Sequence, residues 1–153
     1  MPTATTASDL DTAARLRAAV GRLHRRLRPT AAGTAAGLTP TRISVLFTVA
    51  RRGPIRLSDL AAEEGLNPTM LSRIVADFVG AGLVKRVSDP ADARAALVTA
   101  TAHGRRLCER MRSERTDSLN VALGALTESD RRALARALPV LEALALELQD
   151  RRS

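Results

Sequence analysis

Arginine is the side chain with chemistry to offer in this sequence. Of 24 basic residues only Lys85 is a lysine, and with 16 acidic residues the formal net charge is +8. A guanidinium stays charged and presents a rigid fork of donors that fits phosphate oxygens and the O6/N7 edge of guanine. The excess of arginine over lysine is also what a GC-rich coding sequence produces, as are the many alanines, so the net charge is the more telling quantity. Residues suited to catalysis are scarce. There are two histidines, His24 and His103, far apart in sequence, and one cysteine, Cys108. No paired carboxylates, phosphate-binding glycine loop or nucleophile elbow is present, so the chain is not expected to be an enzyme. One cysteine and two histidines without ligand spacing argue against a structural zinc, and no metal or cofactor is expected.

The most informative donors lie between residues 67 and 94. Asn67-Pro68 opens a helix, with Asn as N-cap and Pro at the first helical position. Leu71, Ile74, Val75 and Phe78 then recur at i, i+3, i+4 and i+7 and turn inward. The opposite face presents Thr69, Ser72, Arg73 and Ala76, with Asn67 and Pro68 at its leading end and no carboxylate over the first two turns. A face of this kind can enter a major groove. Arg73 can donate two hydrogen bonds to guanine, worth about 1–3 kcal/mol against the wrong base, and Thr69 and Ser72 can serve base edges or phosphates. Lys85 and Arg86 lead into a hairpin whose turn-rich tip, Asp89-Pro90-Ala91-Asp92-Ala93-Arg94, can approach a phosphate backbone or a minor groove.

The elements that must hold these residues are legible from caps and periodicity. Residues 1–8 read as a frayed tail, and Ser8 or Asp9 caps a first helix striped by Leu16, Val20, Leu23 and Leu27. Pro29 and the small residues to Gly37 end it. Thr39-Pro40 opens a second helix with Ile43, Leu46, Phe47 and Ala50 as its buried face, stopped at Gly53-Pro54. Residues 55–57 are extended, Ser58 caps a third helix, and Gly65 closes it in a tight turn. Gly82 terminates the fourth. Residues 83–88 and 95–100 form the hairpin strands, although the alanines are poor strand formers. Thr101 caps a long fifth helix to about Ala125. Thr127-Glu128-Ser129-Asp130, a capping box with Asp in place of Glu, opens a sixth striped by Leu134, Leu138, Leu141, Ala145 and Leu148.

Two short helices around a glycine turn, followed by a basic hairpin, make a winged helix-turn-helix. The fold expected is therefore mainly α with a small β wing, in one domain over residues 9–150 whose DNA-binding part spans 38–100. Phe47 and Phe78 are the only aromatic residues, so the core falls to Leu, Val, Ile and Ala. The net charge points to a polyanionic partner, either double-stranded DNA or an anionic surface. No apolar run approaches the roughly 18 residues of a membrane span, and residues 1–9 have neither the basic nor the apolar region of a secretory signal. A soluble cytoplasmic protein without a membrane partner is expected.

Three segments resemble the MarR family of bacterial transcriptional regulators. They are Leu38-Thr39-Pro40 with Ile43-x-x-Leu46, the run from Leu57-Ser58-Asp59-Leu60-Ala61 through Leu71-Ser72-Arg73-Ile74-Val75 to Gly82-Leu83-Val84-x-Arg86, and Asp89-Pro90-x-Asp92-x-Arg94 followed by Leu97-Val98-x-x-Thr101-x-x-Gly104-Arg105. The resemblance implies a homodimer interlocked through dimerisation helices at 9–29 and 101–150, consistent with Leu stripes too extensive for one small core to cover. It implies a palindromic operator, one recognition helix per half-site, and repression as the usual mode. Arg94 matches the family's wing-tip arginine, which enters the minor groove, and Asp92 the acidic residue that orients it. Ala93 stands where arginine is common, which implies a weaker wing. Ala100 stands where leucine is common, which implies a looser second strand.

The resemblance also implies a small phenolic or lipophilic effector between the dimerising helices and the winged domain, with His24 and Phe47 as candidate lining residues. Cys108, amid Arg105, Arg106, Arg110 and Arg112, admits two readings, an inert buried thiol or an oxidation-sensing thiolate. Hydroperoxide sensors of the family carry their cysteine in the first helix, which favours the inert reading. A helical module that binds protein and not DNA is the alternative of a different class, but it would have no use for the basic hairpin.

Overall fold

A short antiparallel sheet backed by helices organises the first 115 residues. The computed structural model describes residues 7–90 and 92–150, with the backbone alone at residues 7, 9, 92–95, 149 and 150. The element order is α1 (Ala7–Leu27), α2 (Ala31–Ala35), α3 (Pro40–Arg52), β1 (Ile55–Arg56), α4 (Leu57–Glu64), α5 (Pro68–Gly80), β2 (Val84–Asp89), β3 (Asp92–Ala100), α6 (Ala102–Gly124) and α7 (Glu128–Asp150). The sheet order is β1-β3-β2, with β3 pairing antiparallel to both neighbours. The chain divides into two compact units, one up to Arg115 and one from Thr116.

In the first unit, α3, α4, α5, the sheet and the first half of α6 enclose a single apolar core. Val45, Leu46, Leu60, Val75, Val98 and Met111 are wholly buried there. Local signals set the helix ends. Thr39 accepts from the Arg42 N–H, and Asn67 accepts from the Met70 N–H. Gly65 and Gly82 take positive φ of 63° and 67°, which L side chains adopt only with strain, and so reverse the chain directly after α4 and α5. After α5 the Leu83 N–H donates to Phe78 O and the Gly82 N–H to Val79 O, a Schellman closure. The start of α6 is then fastened to that closure. Thr101 N–H donates to Leu83 O, Thr101 Oγ1 donates to Gly82 O at 2.6 Å, and Gly104 N–H donates to Thr101 Oγ1.

The second unit contains the end of α6 and α7. Thr127 Oγ1 accepts from the Asp130 N–H and donates to the Asp130 carboxylate, closing the α7 capping box. Arg131 Nη1 donates back to the Leu126 carbonyl at the end of the α6–α7 turn. The α7 stripe stays uncovered, with Leu134, Leu138 and Leu148 at 40%, 49% and 58% exposure. Within the first unit, α1 likewise leaves Val20 and Leu23 exposed, while Leu16 and Leu27 are half-buried.

Several expectations require correction. Ser8 and Asp9 do not cap α1, because the helix already runs from Ala7, and the Ser8 carbonyl accepts from Thr12 Oγ1. The small-residue stretch after Pro29 contains a helix, α2, capped by Thr30 and held by Glu114, whose carboxylate accepts the Ala32 N–H. Ser58 is not the cap of α4. The strand β1 leads straight into the helix at Leu57, Arg56 occupies the cap position without a side-chain bond to the backbone, and Ser58 donates to Asp59. On α3 the deepest residues include Val45, Thr48 and Val49, whereas Ile43, Phe47 and Ala50 are half-buried, because this helix packs against β3 on one side and α4 on another. The hairpin strands run further into the supposed tip than expected, to Asp89 and from Asp92. Ala100 does not loosen the hairpin: it is buried and in register opposite Val84.

Candidate nucleic-acid interface

The first turns of α5 expose Asn67, Pro68, Thr69, Met70, Ser72 and Arg73, while Leu71, Ile74, Val75 and Phe78 fill the core behind them. The predicted division into an inner apolar face and an outer polar face is therefore observed residue for residue. Asn67 Oδ1 is engaged in the cap at 2.9 Å from Met70 N, so this side chain has its amide NH2 left to donate outward. The carboxylate that does appear on the outer side, Asp77, lies in the third turn and is bound by Arg42 of α3. That pair cancels a charge that would oppose a phosphate. It also ties α5 to the start of α3.

Other arginines are spent on bracing. Arg51 and Arg52 at the end of α3 both bond Glu63 of α4, at 2.6 and 2.8 Å. Thr48 donates to Glu64 at 2.6 Å. Arg56 at the β1–α4 junction donates through Nε and Nη2 to one oxygen of Asp89, at 2.8 and 2.5 Å, and that carboxylate is almost wholly buried at the far end of β2. By contrast Arg73, Lys85 and Arg86 are exposed and make no ion pair or side-chain hydrogen bond among the described residues.

Within the hairpin, Lys85 opposes Thr99 and Arg86 opposes Val98. Strand alternation sends the two basic side chains to opposite faces, so the hairpin cannot offer both to one surface. Asp92 lies in register with Asp89 at the start of β3. The side chains of Asp92, Ala93 and Arg94 are outside the described residues.

His24 and Phe47 come together in a cleft of about 330 Å³ that also takes in Arg28, Ile43 and Arg115. Both Arg112 and Arg115 stack over the Phe47 ring, with guanidinium carbons 5.1 and 5.2 Å from its centroid. Arg115 Nε is buried there without a partner. This concentration of positive charge around one aromatic floor suits an anion with an apolar body. Cys108 is wholly buried against the Leu46 carbonyl, and burial pushes its thiol pKa up, with Glu109 adding to the rise and Arg112 and Arg115 pulling the other way. A closed-off thiol that resists ionisation lacks what a peroxide sensor needs.

Sequence reading missed Met70, the Arg42–Asp77 and Arg56–Asp89 pairs, and the Arg28 and Arg115 walls of the cleft. Met70 carried a signal, as a large apolar residue off the inward stripe. The pairs join residues more than thirty positions apart and leave no local pattern.

Comparison with known proteins agrees with this geometry. The profile described as the MarR family matches residues 38–96, which covers the second and third predicted helices, α5 and most of the hairpin. An uncharacterised HTH-type transcriptional regulator of Mycobacterium bovis is 32% identical over 90% of this chain and 94% of its own length. Among solved structures, a transcriptional regulator from Thermotoga maritima superposes with a TM-score of 0.79 at 20% identity, covering 92% of this chain and 98% of that one. A MepR variant of S. aureus bound to an oligodeoxyribonucleotide superposes at 0.65 and 15% identity, covering 87% and 97%. The Mycobacterium bovis and Thermotoga maritima proteins are named as transcriptional regulators, a non-enzymatic class. With helix-turn-helix, wing and flanking helices in the same order across nearly its whole length, the chain belongs to the MarR family of winged-helix, DNA-binding transcription regulators.

Proposed function

We propose that this chain is a homodimeric repressor that reads a palindromic operator through α5 and its wing and is released by a small anionic effector. The observation that carries the reading is the outer face of α5, where Arg73 has no partner among the described residues while Asp77 is neutralised by Arg42. In this reading Arg73 grips a guanine, Thr69 and Ser72 serve base edges or phosphates, and Asn67 and Pro68 set the helix end against the backbone. Arg94, oriented by Asp92, enters the adjacent minor groove, and Lys85 and Arg86 contribute long-range attraction to phosphate. The uncovered stripes of α1 and α7 support a second copy as the partner that covers them, with the dimerisation helices at 9–29 and 101–150 around the winged part at 38–100.

The cleft around Phe47 supports the effector half of the proposal. A phenolic or lipophilic carboxylate placed there packs beside Phe47 and meets Arg28, Arg115 and His24. Binding between α1 and α3 biases the spacing of the two α5 helices and so the operator affinity. No described residues form a metal cluster, and no described helix is long and apolar enough to cross a membrane.

The test is footprinting on the DNA flanking the protein's own gene, followed by affinity measurement at fixed salt. Arg73→Ala is expected to weaken binding and relax preference at one base pair per half-site by about 1–3 kcal/mol, whereas Arg94→Ala weakens binding across sequences. If neither change alters DNA affinity, the assignment is wrong, and a protein-binding helical module becomes the better reading.

A further inference from the structure

Met70 is the residue of α5 that neither the core nor the polar face accounts for. It stands in the first turn, it is 51% exposed, and apart from Val79 near the helix end the other large apolar residues of α5 are buried. A lone exposed methionine on a helix is ordinary. This one has a defined position relative to Arg73. Three residues apart on a helix, the two side chains are surface neighbours, with about 5–6 Å between Cβ atoms and a rise of about 4.5 Å along the axis. That rise is close to one base-pair step of roughly 3.4 Å. Helical Cα–Cβ bonds tilt toward the N-terminus, which carries the Met70 side chain to the leading end of α5.

The neighbours leave this place to Met70. Asn67 Oδ1 is engaged in the cap, so the paired donor and acceptor that an adenine edge requires are not both free. Pro68 has no donor. On the Met70 flank of the helix, the Asp77 carboxylate is paired with Arg42 and so does not oppose a phosphate there. A thioether has no donor and only a weak acceptor, but its methyl and sulfur are apolar and polarisable. The feature of a major-groove base edge that it complements is the C5-methyl group of thymine.

We propose that Met70 packs on a thymine C5-methyl at the base pair next to the one read by Arg73, so that each half-site carries a thymine at that step. This rests on the reading of α5 as the DNA-recognition helix and deepens it. The contact supplies discrimination without a hydrogen bond.

The test replaces each thymine of the footprinted half-site in turn with deoxyuridine, which removes only the methyl group, and measures affinity by fluorescence anisotropy at fixed salt. At one position per half-site, wild type is expected to bind the uracil operator about fourfold more weakly, the effect of one lost buried methyl. Met70→Ala is expected to bind thymine and uracil operators equally at that position while keeping the guanine preference due to Arg73. Met70→Leu, which keeps an apolar branch of similar reach, restores the discrimination. If Met70→Ala keeps the wild-type thymine-to-uracil ratio at every position, or wild type discriminates at none, this inference fails and the role of α5 stands. If wild type binds no DNA sequence-specifically, the role of α5 fails and this inference with it.

Discussion

Gly104→Ala is a sharp test of how α5 is held to the rest of the fold. A Cβ on Gly104 would stand 2.1 Å from the Leu83 carbonyl oxygen and 3.0 Å from its carbon, against ordinary contacts of 3.4 Å and more. The oxygen would have to move by more than an ångström, yet it accepts from Thr101 N–H at 3.0 Å and lies 3.2 Å from Thr101 Oγ1, whose proton goes to the neighbouring Gly82 carbonyl. Leu83 is itself buried, and its N–H closes α5 onto Phe78. Alanine would add about 1 kcal/mol of helix propensity. Overpacking against backbone costs about 1–3 kcal/mol, and loosening the Thr101 bonds costs roughly another 1–2 kcal/mol. The net expectation is a loss of about 2–3 kcal/mol. Gly80→Ala is the control: Gly80 ends α5 without a positive φ, nothing beyond its chain neighbours and its own helix backbone lies within 4 Å of its Cβ position, and a gain of about 0.5 kcal/mol is expected. Urea unfolding followed by circular dichroism at one fixed protomer concentration separates the two, since the proposed dimerisation would make apparent stability concentration-dependent. A Gly104→Ala midpoint equal to or above wild type would refute the docking of α6 on the α5–β2 turn.

Three further outcomes follow from the same contacts. Arg56→Ala and Asp89→Ala are each expected to cost about 1–2 kcal/mol, with a double-mutant cycle showing coupling; simple additivity would remove the pair as the brace between β1 and the wing. Cys108 is expected to react slowly with thiol reagents in native protein and fast in urea, with peroxide leaving DNA binding unchanged. Because folding raises this thiol's pKa above its ordinary 9.0, the unfolded chain loses the proton first, so wild type is expected to lose stability relative to Cys108→Ala only above that pH. Leu138→Asp, on the uncovered α7 stripe, is expected to shift sedimentation toward monomer, and an unchanged dimer would displace α7 from the interface.

What could be read from sequence was what is encoded locally. Asn67-Pro68, the spacing from Leu71 to Phe78, and Gly65 and Gly82 each act within one or two helical turns, and together they delimit α5 and divide its faces. The polar candidates Thr69, Ser72 and Arg73 then followed by rotation about one axis. Features that depend on distant partners were invisible. The anchoring of α2 is one, since Glu114, 82 residues on, accepts the Ala32 N–H, although the Thr30 cap of that helix is a local signal. Ser58 had the right chemistry for a cap, but pairing of Arg56 with Leu97 in the sheet places the helix start two residues earlier. The half-burial of Phe47 reflects two arginines from α6 that stack on a ring expected in the core.

The arginines around α5 fall into two groups. Arg42, Arg51, Arg52 and Arg56 have carboxylate partners and act as braces: Arg42 ties α3 to α5, Arg51 and Arg52 tie α3 to α4, and Arg56 ties the α4 junction to the wing. Each brace ties α5, or an element next to it, to its surroundings. Arg73, on the face opposite the core, is left without a partner among the described residues. A guanidinium that is already unpaired loses no ion pair on meeting a guanine or a phosphate, whereas a paired one must first give up its carboxylate. Removing a brace should therefore affect stability and the relative positions of α3, α4, α5 and the wing. Removing Arg73 should affect affinity and base preference with the fold intact. The same amino acid thus has separable roles, determined by whether the fold has placed an acid beside it.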